Sequence, residues 1–489
     1  MEKSLLRYLQ AVNRQLNGPL RSLISDAQSA RLMKVTNGVL TRVIATTELE
    51  TSRRRQLISA CKLWCASLYS LLPHGDPILT SVAELDAAYQ SAEPSGLGRI
   101  DAALVSLSSQ LAQRHDAASQ KIVSEIVNTE WQHWQRLEQR NAELLLPLAA
   151  AQTPSRGHLN ELQQQCLLDL MRKECNESAA LAISQVTPLS GGYSKQTSLV
   201  ELQNAARLPA QVVLRHDRPE SPVGTSVSAE FPLLQVLSAE GVCVPRPWLV
   251  DNGETVGAPL MVVSCSPGRV ISDGQHFYEK VGWENCAVTL ARQMAKFHQI
   301  SLEKLPNSLP GRNDGNASII SRELEKFRQI WRDSEYQSPI AELTFCWLQS
   351  HMEFAGERKS LTHGDIRFQN ILVSKPGVVT ILDWELAAAQ NPALDLGCTY
   401  HNVKQLVPWC DFLNAYRDAG GMVPSRETLG FYILRYELLC ASFLTKIESG
   451  FLSGPNDMID LAYAGTQIRQ HSMLLLADTL NTLVSGADF

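Results

Sequence analysis

Residues 361–384, LTHGDIRFQNILVSKPGVVTILDW, form the stretch that decides the fold of this chain. Two short runs rich in β-branched residues, ILVS and VVTIL, are separated by Lys-Pro-Gly at 375–377. Such runs on either side of a Pro-Gly turn predict an antiparallel β-hairpin. A turn centred on the Pro-Gly pair places Asn370 opposite Asp383, to within one residue of register. The hairpin therefore predicts that these two side chains lie side by side.

The residue types around this hairpin suit phosphoryl transfer. Asn370 and Asp383 supply hard oxygen ligands for Mg²⁺, which keeps several waters and takes only one or two protein carboxylates. Asp365, five residues before Asn370, is placed to orient an attacking hydroxyl and to accept its proton. Arg367 would neutralise charge on the transferred phosphate. The spacing Asp-x-x-x-x-Asn, followed by an aspartate after the hairpin, is that of a kinase catalytic loop.

Each signal has a plainer interpretation when taken alone. Gly-Asp is common in turns, where the aspartate side chain caps nearby backbone amides. His363 is predicted to be a structural histidine, hydrogen-bonded under the loop, rather than a base. The ordered combination of Asp365, Asn370, the hairpin and Asp383 favours function.

These residues resemble the catalytic core of the aminoglycoside phosphotransferase and choline kinase-like family. LDWELA at 382–387 and NPALDLG at 391–397 are similar in particular to the subgroup linked to acyl-CoA dehydrogenases. The resemblance implies an α+β fold of the bilobal protein-kinase type, with a small antiparallel β lobe and a helical C-lobe, that uses ATP and Mg²⁺. It also implies that Asp395 braces the catalytic loop.

Upstream, ISQVTPLSGGYSKQTSLVEL at 183–202 predicts a strand, a glycine-rich turn and a second strand. The backbone amides of Gly191, Gly192 and Ser194 would close over the nucleotide phosphates. An ordinary hairpin turn is the alternative. Lys195 stands where the subgroup more often has asparagine, and the sequence assigns it no role.

The next predicted elements are a strand, AQVVLRHD, and a helix, SAEFPLLQVLSAEG. The resemblance implies that Arg215 holds the phosphates where kinases have lysine, and that Glu230 pairs with it. An exposed strand residue is the alternative for Arg215. Met261 and Val263 would border the adenine in the linker between the lobes, although buried strands show the same apolar pattern whether or not they contact a nucleotide.

Residues 1–150 contain several segments with apolar residues at helical spacing and predict an all-α bundle. They resemble the small helical partner proteins of the same subgroup. The predicted organisation is an N-terminal helical domain (1–150), a linker and leading helix (151–179), a kinase-like N-lobe (180–265) and a kinase-like C-lobe with the catalytic loop and the acceptor-binding helices (266–489).

Composition agrees with a soluble cytoplasmic enzyme and narrows the function little further. The net charge of −6 and the pI near 6.0 argue against a nucleic-acid partner, because phosphate contacts need clustered cations. Arg53-Arg54-Arg55, the one tight cationic cluster, is predicted to be a solvated helix face. The eleven cysteines show no Cys-x-x-Cys pair, as expected of reduced thiols. With neither a leader sequence nor a run of the ~20 apolar residues that span a membrane, we expect a cytoplasmic protein without a membrane partner.

The sequence thus predicts a kinase that transfers the γ-phosphate of ATP to a hydroxyl of a small molecule. A hydroxyacyl-CoA or a hydroxy acid derivative is the first choice of acceptor. Aminoglycosides, choline or other amino alcohols, and sugars are alternatives. Arg435 and Glu437 either line the acceptor site or belong to a solvated helix face. A catalytically silent kinase-like scaffold and a metal-dependent hydrolase are the rival classes.

Overall fold

The computed structural model describes residues 8, 12, 27–91, 97–144, 161–189, 195–217, 225–254, 257–270, 283–334, 336–374, 378–454 and 459–487. The described residues form two compact units. The first unit draws on Met1–Ala151, Ala317–Ala355 and Gly430–Phe489; the second draws on Gln152–Asn316 and Gly356–Leu429. These boundaries differ from the predicted domain ranges, since two later stretches join the N-terminal helices. The predicted ranges themselves stay a prediction.

The N-terminal region is helical, as its periodicity predicts. Its helices are α1 (Ala27–Leu71), α2 (Ile78–Gln90), α3 (Leu97–Ala112) and α4 (Ala117–Leu144). In α3 the buried apolar residues recur every three or four positions, at Ile100, Leu104, Leu107 and Leu111, and form the stripe that packs on neighbouring helices.

The arginine cluster in α1 contradicts the predicted solvated face in part. Arg53 is largely buried and pairs with Asp101 at 3.1 Å and with Glu130 at 3.4 Å. Both carboxylates lie far along the chain, so local periodicity did not reveal them.

The second unit begins with α5 (Glu161–Glu174) and a five-stranded antiparallel sheet in the order β1-β2-β3-β5-β4. Its strands are β1 (Ala182–Leu189), β2 (Lys195–Gln203), β3 (Gln211–Asp217), β4 (Pro247–Asn252) and β5 (Pro259–Ser264), with α6 (Val227–Ala239) between β3 and β4. Leu167 and Met171 of α5 pack with Val200, Val212 and Val262 of the sheet in one apolar core. The predicted strands therefore form, and α5 covers one face.

The chain then continues through short strands and α-helices. These are β6 (Arg269–Val270), α7 (Trp283–His298), α8 (Asn316–Asp333), α9 (Pro339–Ser350), β7 (Ser360–Thr362), β8 (Ile371–Ser374), β9 (Val378–Ile381) and β10 (Ala388–Gln390). β6, β8 and β9 form a three-stranded sheet, and β7 pairs with β10.

The predicted hairpin is present as β8 and β9, with a register one residue away from the central estimate. Ser374 pairs with Val378, so three residues separate the paired ends where a two-residue turn was assumed. The backbone N–H of Leu382 donates to the carbonyl oxygen of Asn370 at 2.8 Å. Asp383 therefore lies one residue beyond the position opposite Asn370, within the predicted tolerance.

The last elements are all helices. They are α10 (Ala393–Val403), α11 (Trp409–Asp418), α12 (Arg426–Ser453), α13 (Ile459–Tyr463), a π-helical turn (Ala464–Ile468) and α14 (Arg469–Ser485). In the first unit α9 packs on α3, α13 on α1 and α14 on α4. The indole N–H of Trp131 in α4 donates to Asp478 of α14 at 3.1 Å.

No helix among the residues placed by the structure is both long and apolar enough to cross a membrane.

Candidate active site

The catalytic loop follows β7 and depends on a glycine. Gly364 has φ of +84°, and a Cβ there would lie 2.7 Å from the carbonyl oxygen of Leu386, so no other residue fits. His363 is fully buried; its Nε2 donates to the carbonyl oxygen of Leu382 at 2.8 Å, and its Nδ1 accepts from the N–H of Asp365 at 3.2 Å. His363 thus ties the loop to the end of the hairpin, which is the structural role predicted for it.

Asp395 in the first turn of α10 braces the same loop. Its Oδ2 accepts from the N–H of His363 and its Oδ1 from the N–H of Gly364, both at 2.8 Å. His298 Nε2 lies 3.0 Å from Oδ2, and His298 Nδ1 lies 2.8 Å from the hydroxyl of Tyr416. A carboxylate only accepts hydrogen bonds, so Nε2 is the nitrogen of His298 that carries a proton towards Asp395, and Nδ1 faces the Tyr416 hydroxyl. His298 then donates through Nε2, and the Asp395 carboxylate is held at both oxygens.

Three of the predicted site residues meet directly at Asp365. Arg367 contacts the Asp365 carboxylate through Nε at 2.7 Å and Nη2 at 2.8 Å, and Asn370 Nδ2 donates to Oδ2 at 2.9 Å. A forked guanidinium contact fixes the plane of a carboxylate. Because the Arg367 side chain is 44% exposed, this ion pair contributes little to stability, and the arginine can turn towards another anion at small cost.

A second group of predicted residues meets at Arg215 on β3. Nη1 donates to Glu230 at 2.7 Å and Nη2 donates to Asp383 at 2.6 Å. Burial by itself lowers the pKa of Arg215, but the charges of Glu230 and Asp383 outweigh it and raise the pKa above its usual value. The exposed-strand alternative for Arg215 is therefore wrong, and the predicted pair with Glu230 is present in the structure.

Asp383 has an unusual backbone conformation. Its φ of 62° and ψ of 67° are left-handed, at the start of a 3-10 turn (Trp384–Leu386). A non-glycine residue in this region costs roughly 1 kcal/mol or more, and such strain concentrates at functional sites. The bond from the N–H of Trp384 to Glu230 at 3.1 Å helps to hold this conformation. Asp383 thus combines a left-handed backbone with an ion pair to Arg215.

The donor set at the hairpin end fits Mg²⁺. Asp383 offers a carboxylate oxygen beyond the one that Arg215 contacts, and the Asn370 side chain, which donates to Asp365 through Nδ2, also carries an amide oxygen. Among the residues that the structure describes, no group of three or more His, Cys, Asp and Glu could hold a metal. Magnesium in nucleotide sites takes one or two protein carboxylates and completes its shell with waters and phosphates.

Comparison with known proteins identifies the family. Residues 185–432 match the model of the phosphotransferase enzyme family, which is more than half of the chain. The chain belongs to this phosphotransferase family. The matched residues include both groups of site residues described above.

Individual relatives of this phosphotransferase agree with that assignment. It is 26% identical over 225 residues to acyl-CoA dehydrogenase family member 11 of Rattus norvegicus, covering 44% of this chain and 28% of that protein. It is 25% identical over 240 residues to family member 10 of Mus musculus, covering 46% of this chain and 21% of that protein. The chain thus spans less than a third of the length of these relatives.

A solved structure shows the fold. A Ralstonia eutropha protein, provisionally named an aminoglycoside phosphotransferase, superposes with a TM-score of 0.53 at 18% identity, covering 66% of this chain and 99% of that one. The predicted fold class and family resemblance are therefore confirmed.

Other predicted residues of the phosphotransferase have separate outcomes. Gly191, Gly192 and Ser194 lie outside the described residues. Met261 and Val263 are buried in β5, where Met261 pairs with Arg215 across the sheet. Their contact with adenine stays a prediction, since a strand in the sheet core is buried in any case.

Arg435 and Glu437 belong to the first unit, and both are buried. Arg435 Nε donates to Glu323 at 3.0 Å. The solvated-face interpretation of these two residues is therefore wrong, and their part in acceptor binding stays a prediction.

Sequence reasoning missed one charged residue next to the site. Glu385, two residues after Asp383, lies near Lys195 and Thr225. Two features of the sequence could have indicated this contact: the glutamate of LDWELA and the lysine at the start of β2, to which the sequence assigned no role. Neither residue stands at a spacing typical of a catalytic motif.

Proposed function

We propose that this phosphotransferase transfers the γ-phosphate of ATP to a hydroxyl group of a small molecule. The observation that carries the proposal is the position of Arg215, which bonds at once to Glu230 and to the strained Asp383. This arrangement joins the phosphate-binding strand to the predicted metal-binding residue. Asn370 lies directly before β8, in the hairpin that precedes Asp383, and donates to Asp365.

Arg215 would bind the nucleotide phosphates. Glu230 fixes one edge of its guanidinium, while the edge now on Asp383 is free to turn towards an anion. A guanidinium makes forked contacts with phosphate oxygens and stays charged, whereas lysine acts as a point charge. Gly191, Gly192 and Ser194 would add backbone amides, and Met261 and Val263 would border the adenine.

Asn370 and Asp383 would hold Mg²⁺, which when bound neutralises charge on the phosphate oxygens. Their placement at one end of the hairpin, tied by the bond between Leu382 and Asn370, supports this assignment.

Asp365 would orient the acceptor hydroxyl and accept its proton. The Asn370 amide and the Arg367 guanidinium set the direction of its carboxylate. Arg367 would turn from Asp365 to the transferred phosphate as negative charge develops there. Proton transfer to Asp365 can occur late, when the hydroxyl oxygen already bonds to phosphorus.

For the acceptor we propose a hydroxyacyl-CoA or a related hydroxy acid derivative. The support is the similarity of the LDWELA segment to the acyl-CoA-dehydrogenase-linked subgroup and the names of the relatives in rat and mouse. Aminoglycosides, choline and other amino alcohols, and sugars are the alternative acceptors.

The direct test incubates the purified chain with ATP, Mg²⁺ and a panel of these hydroxy compounds and follows ADP and the phosphorylated acceptor. Asp365→Asn and Asp383→Ala should abolish product. Asp169→Asn, an exposed aspartate in α5 that pairs with Arg172, is the matched control and should retain full activity. Full turnover in either site variant would exclude the proposed mechanism.

A melting-temperature titration and a measurement of phosphate release separate the rival classes. A silent scaffold would not change its melting temperature on titration with ATP and Mg²⁺. A hydrolase would release inorganic phosphate without any phosphorylated acceptor.

A further inference from the structure

Lys195 is a buried lysine beside the nucleotide site that the mechanism above does not use. It is the first residue of β2, and its side chain is 2% exposed. Its ammonium group lies 3.1 Å from Asp217 Oδ1 and 3.7 Å from Glu385 Oε2, and it donates to the carbonyl oxygen of Thr225. We call these four residues the Lys195 cluster.

Each partner in the Lys195 cluster belongs to a segment that carries a site residue. Asp217 ends β3, two residues after Arg215, and accepts from the N–H of Val227 at 3.1 Å, where α6 begins. Because α6 carries Glu230, this contact anchors the helix that positions Arg215. Glu385 lies two residues after Asp383, and it accepts from the Thr225 hydroxyl at 3.1 Å. Lys195 therefore joins the β3–α6 region to the segment of Asp383.

The charges in the cluster make this connection specific. A buried ammonium is tolerated only when it is paired, and here it contacts Asp217 and the carbonyl oxygen of Thr225, with Glu385 within ion-pair distance. Removal of the lysine would leave Asp217 and Glu385 as two carboxylates in a poorly solvated place, where they repel each other. The expected response is separation of the two segments.

We propose that Lys195 is a positioning residue that fixes the Asp383 segment relative to Arg215 and Glu230, and so sets the affinity of the site for ATP with magnesium. The inference rests on the proposed function.

The test measures ATP binding to the full chain by calorimetry at saturating magnesium, and the magnesium concentration that gives half-maximal ATP binding. Lys195→Met, Glu385→Gln and the double variant are compared at a temperature well below their melting points. We expect each single variant to weaken ATP binding about tenfold, which corresponds to about 1.4 kcal/mol, and to raise the half-maximal magnesium concentration. The double variant should lose less than the sum of the two, because both substitutions break one contact.

Lys359→Met is the matched control, since Lys359 donates to the carbonyl oxygens of Gly311 and Arg312 in the same unit. It should leave ATP affinity and magnesium dependence unchanged even where it lowers the melting temperature. Folded Lys195→Met with the affinity and magnesium dependence of the parent would overturn the inference and leave the proposed function intact. Failure of the parent chain itself to bind ATP with magnesium would overturn both. If Lys195→Met does not fold, Glu385→Gln decides, because it keeps Lys195 paired with Asp217.

Discussion

Each of the two units buries an arginine beside a glutamate, and the two sites have different properties. In the second unit Arg215 bridges Glu230 and Asp383, and the Asp383 side chain stays 27% exposed. In the first unit Arg469 pairs with Glu448 at 2.6 Å, with both side chains at most 5% exposed. The Arg215 site has a carboxylate that reaches solvent and a strained backbone at Asp383, whereas the Arg469 site has neither.

Their surroundings explain the difference. The guanidinium of Arg469 stacks 4.0 Å above the Tyr336 ring, and Glu448 also accepts from the hydroxyl of Tyr8. Gly465 of the π-helical turn packs closely against the Glu448 side chain. Such enclosure serves packing. A buried ion pair therefore does not by itself mark a catalytic site.

Among substitutions that test the difference between the Arg215 and Arg469 sites, we expect the largest effect at Asp383. Asp383→Gly removes the carboxylate and also relieves the left-handed backbone, so kcat/KM should fall by roughly 10³-fold. The free energy of unfolding should change by less than about 1 kcal/mol. Kinetics with ATP and Mg²⁺, together with urea unfolding, measure the two quantities.

The control for that prediction is Asn204→Gly. Asn204 also has a positive φ, of 56°, in the turn after β2. It should keep full activity at similar stability. Equal loss of activity in both variants would mean that backbone strain, and not the Asp383 carboxylate, determines the rate.

The next largest effect is expected at Arg469, on stability alone. Arg469→Met leaves Glu448 buried without its partner and should lower the free energy of unfolding of the first unit by about 3 kcal/mol. ATP affinity, measured by calorimetry on the folded protein, should not change.

Arg332→Met serves as its control, because Arg332 and its partner Glu325 are both more than half exposed. Its unfolding curve should stay close to that of the parent. A clear loss of ATP affinity in Arg469→Met would show that Arg469 also affects nucleotide binding, and would contradict the proposed difference between the two arginines.

The smallest effect is a pH dependence of stability. Burial raises the pKa of Glu448 to about 7, against the lowering effect of Arg469. Below the ordinary glutamate pKa, near 4.5, the carboxyl is protonated in both states and contributes nothing. As the pH rises from about 4.5 to about 7, the unfolded chain releases this proton first, so the first unit loses stability across that window.

Glu448→Gln should flatten this part of the profile, which melting temperatures recorded between pH 4.5 and pH 8 would show. An unchanged slope in the variant would assign the pH dependence to other groups.

The sequence alone determined the local features of this protein. Alternation and turn residues predicted the β8–β9 hairpin, and helical spacing predicted the N-terminal helices. The order Asp365, Asn370 and Asp383 predicted the catalytic loop. These features follow from neighbouring residues, since strand and helix periods and turn geometry act over a few positions.

The tertiary structure decided everything that joins distant parts of the chain. It paired Arg53 with Asp101 and Glu130, and it grouped the helices of 317–355 and 430–489 with the N-terminal region. It also gave Lys195 a role beside Glu385. These partners are separated by tens to hundreds of residues, and which charges meet depends on how buried faces pack, which local periodicity does not encode.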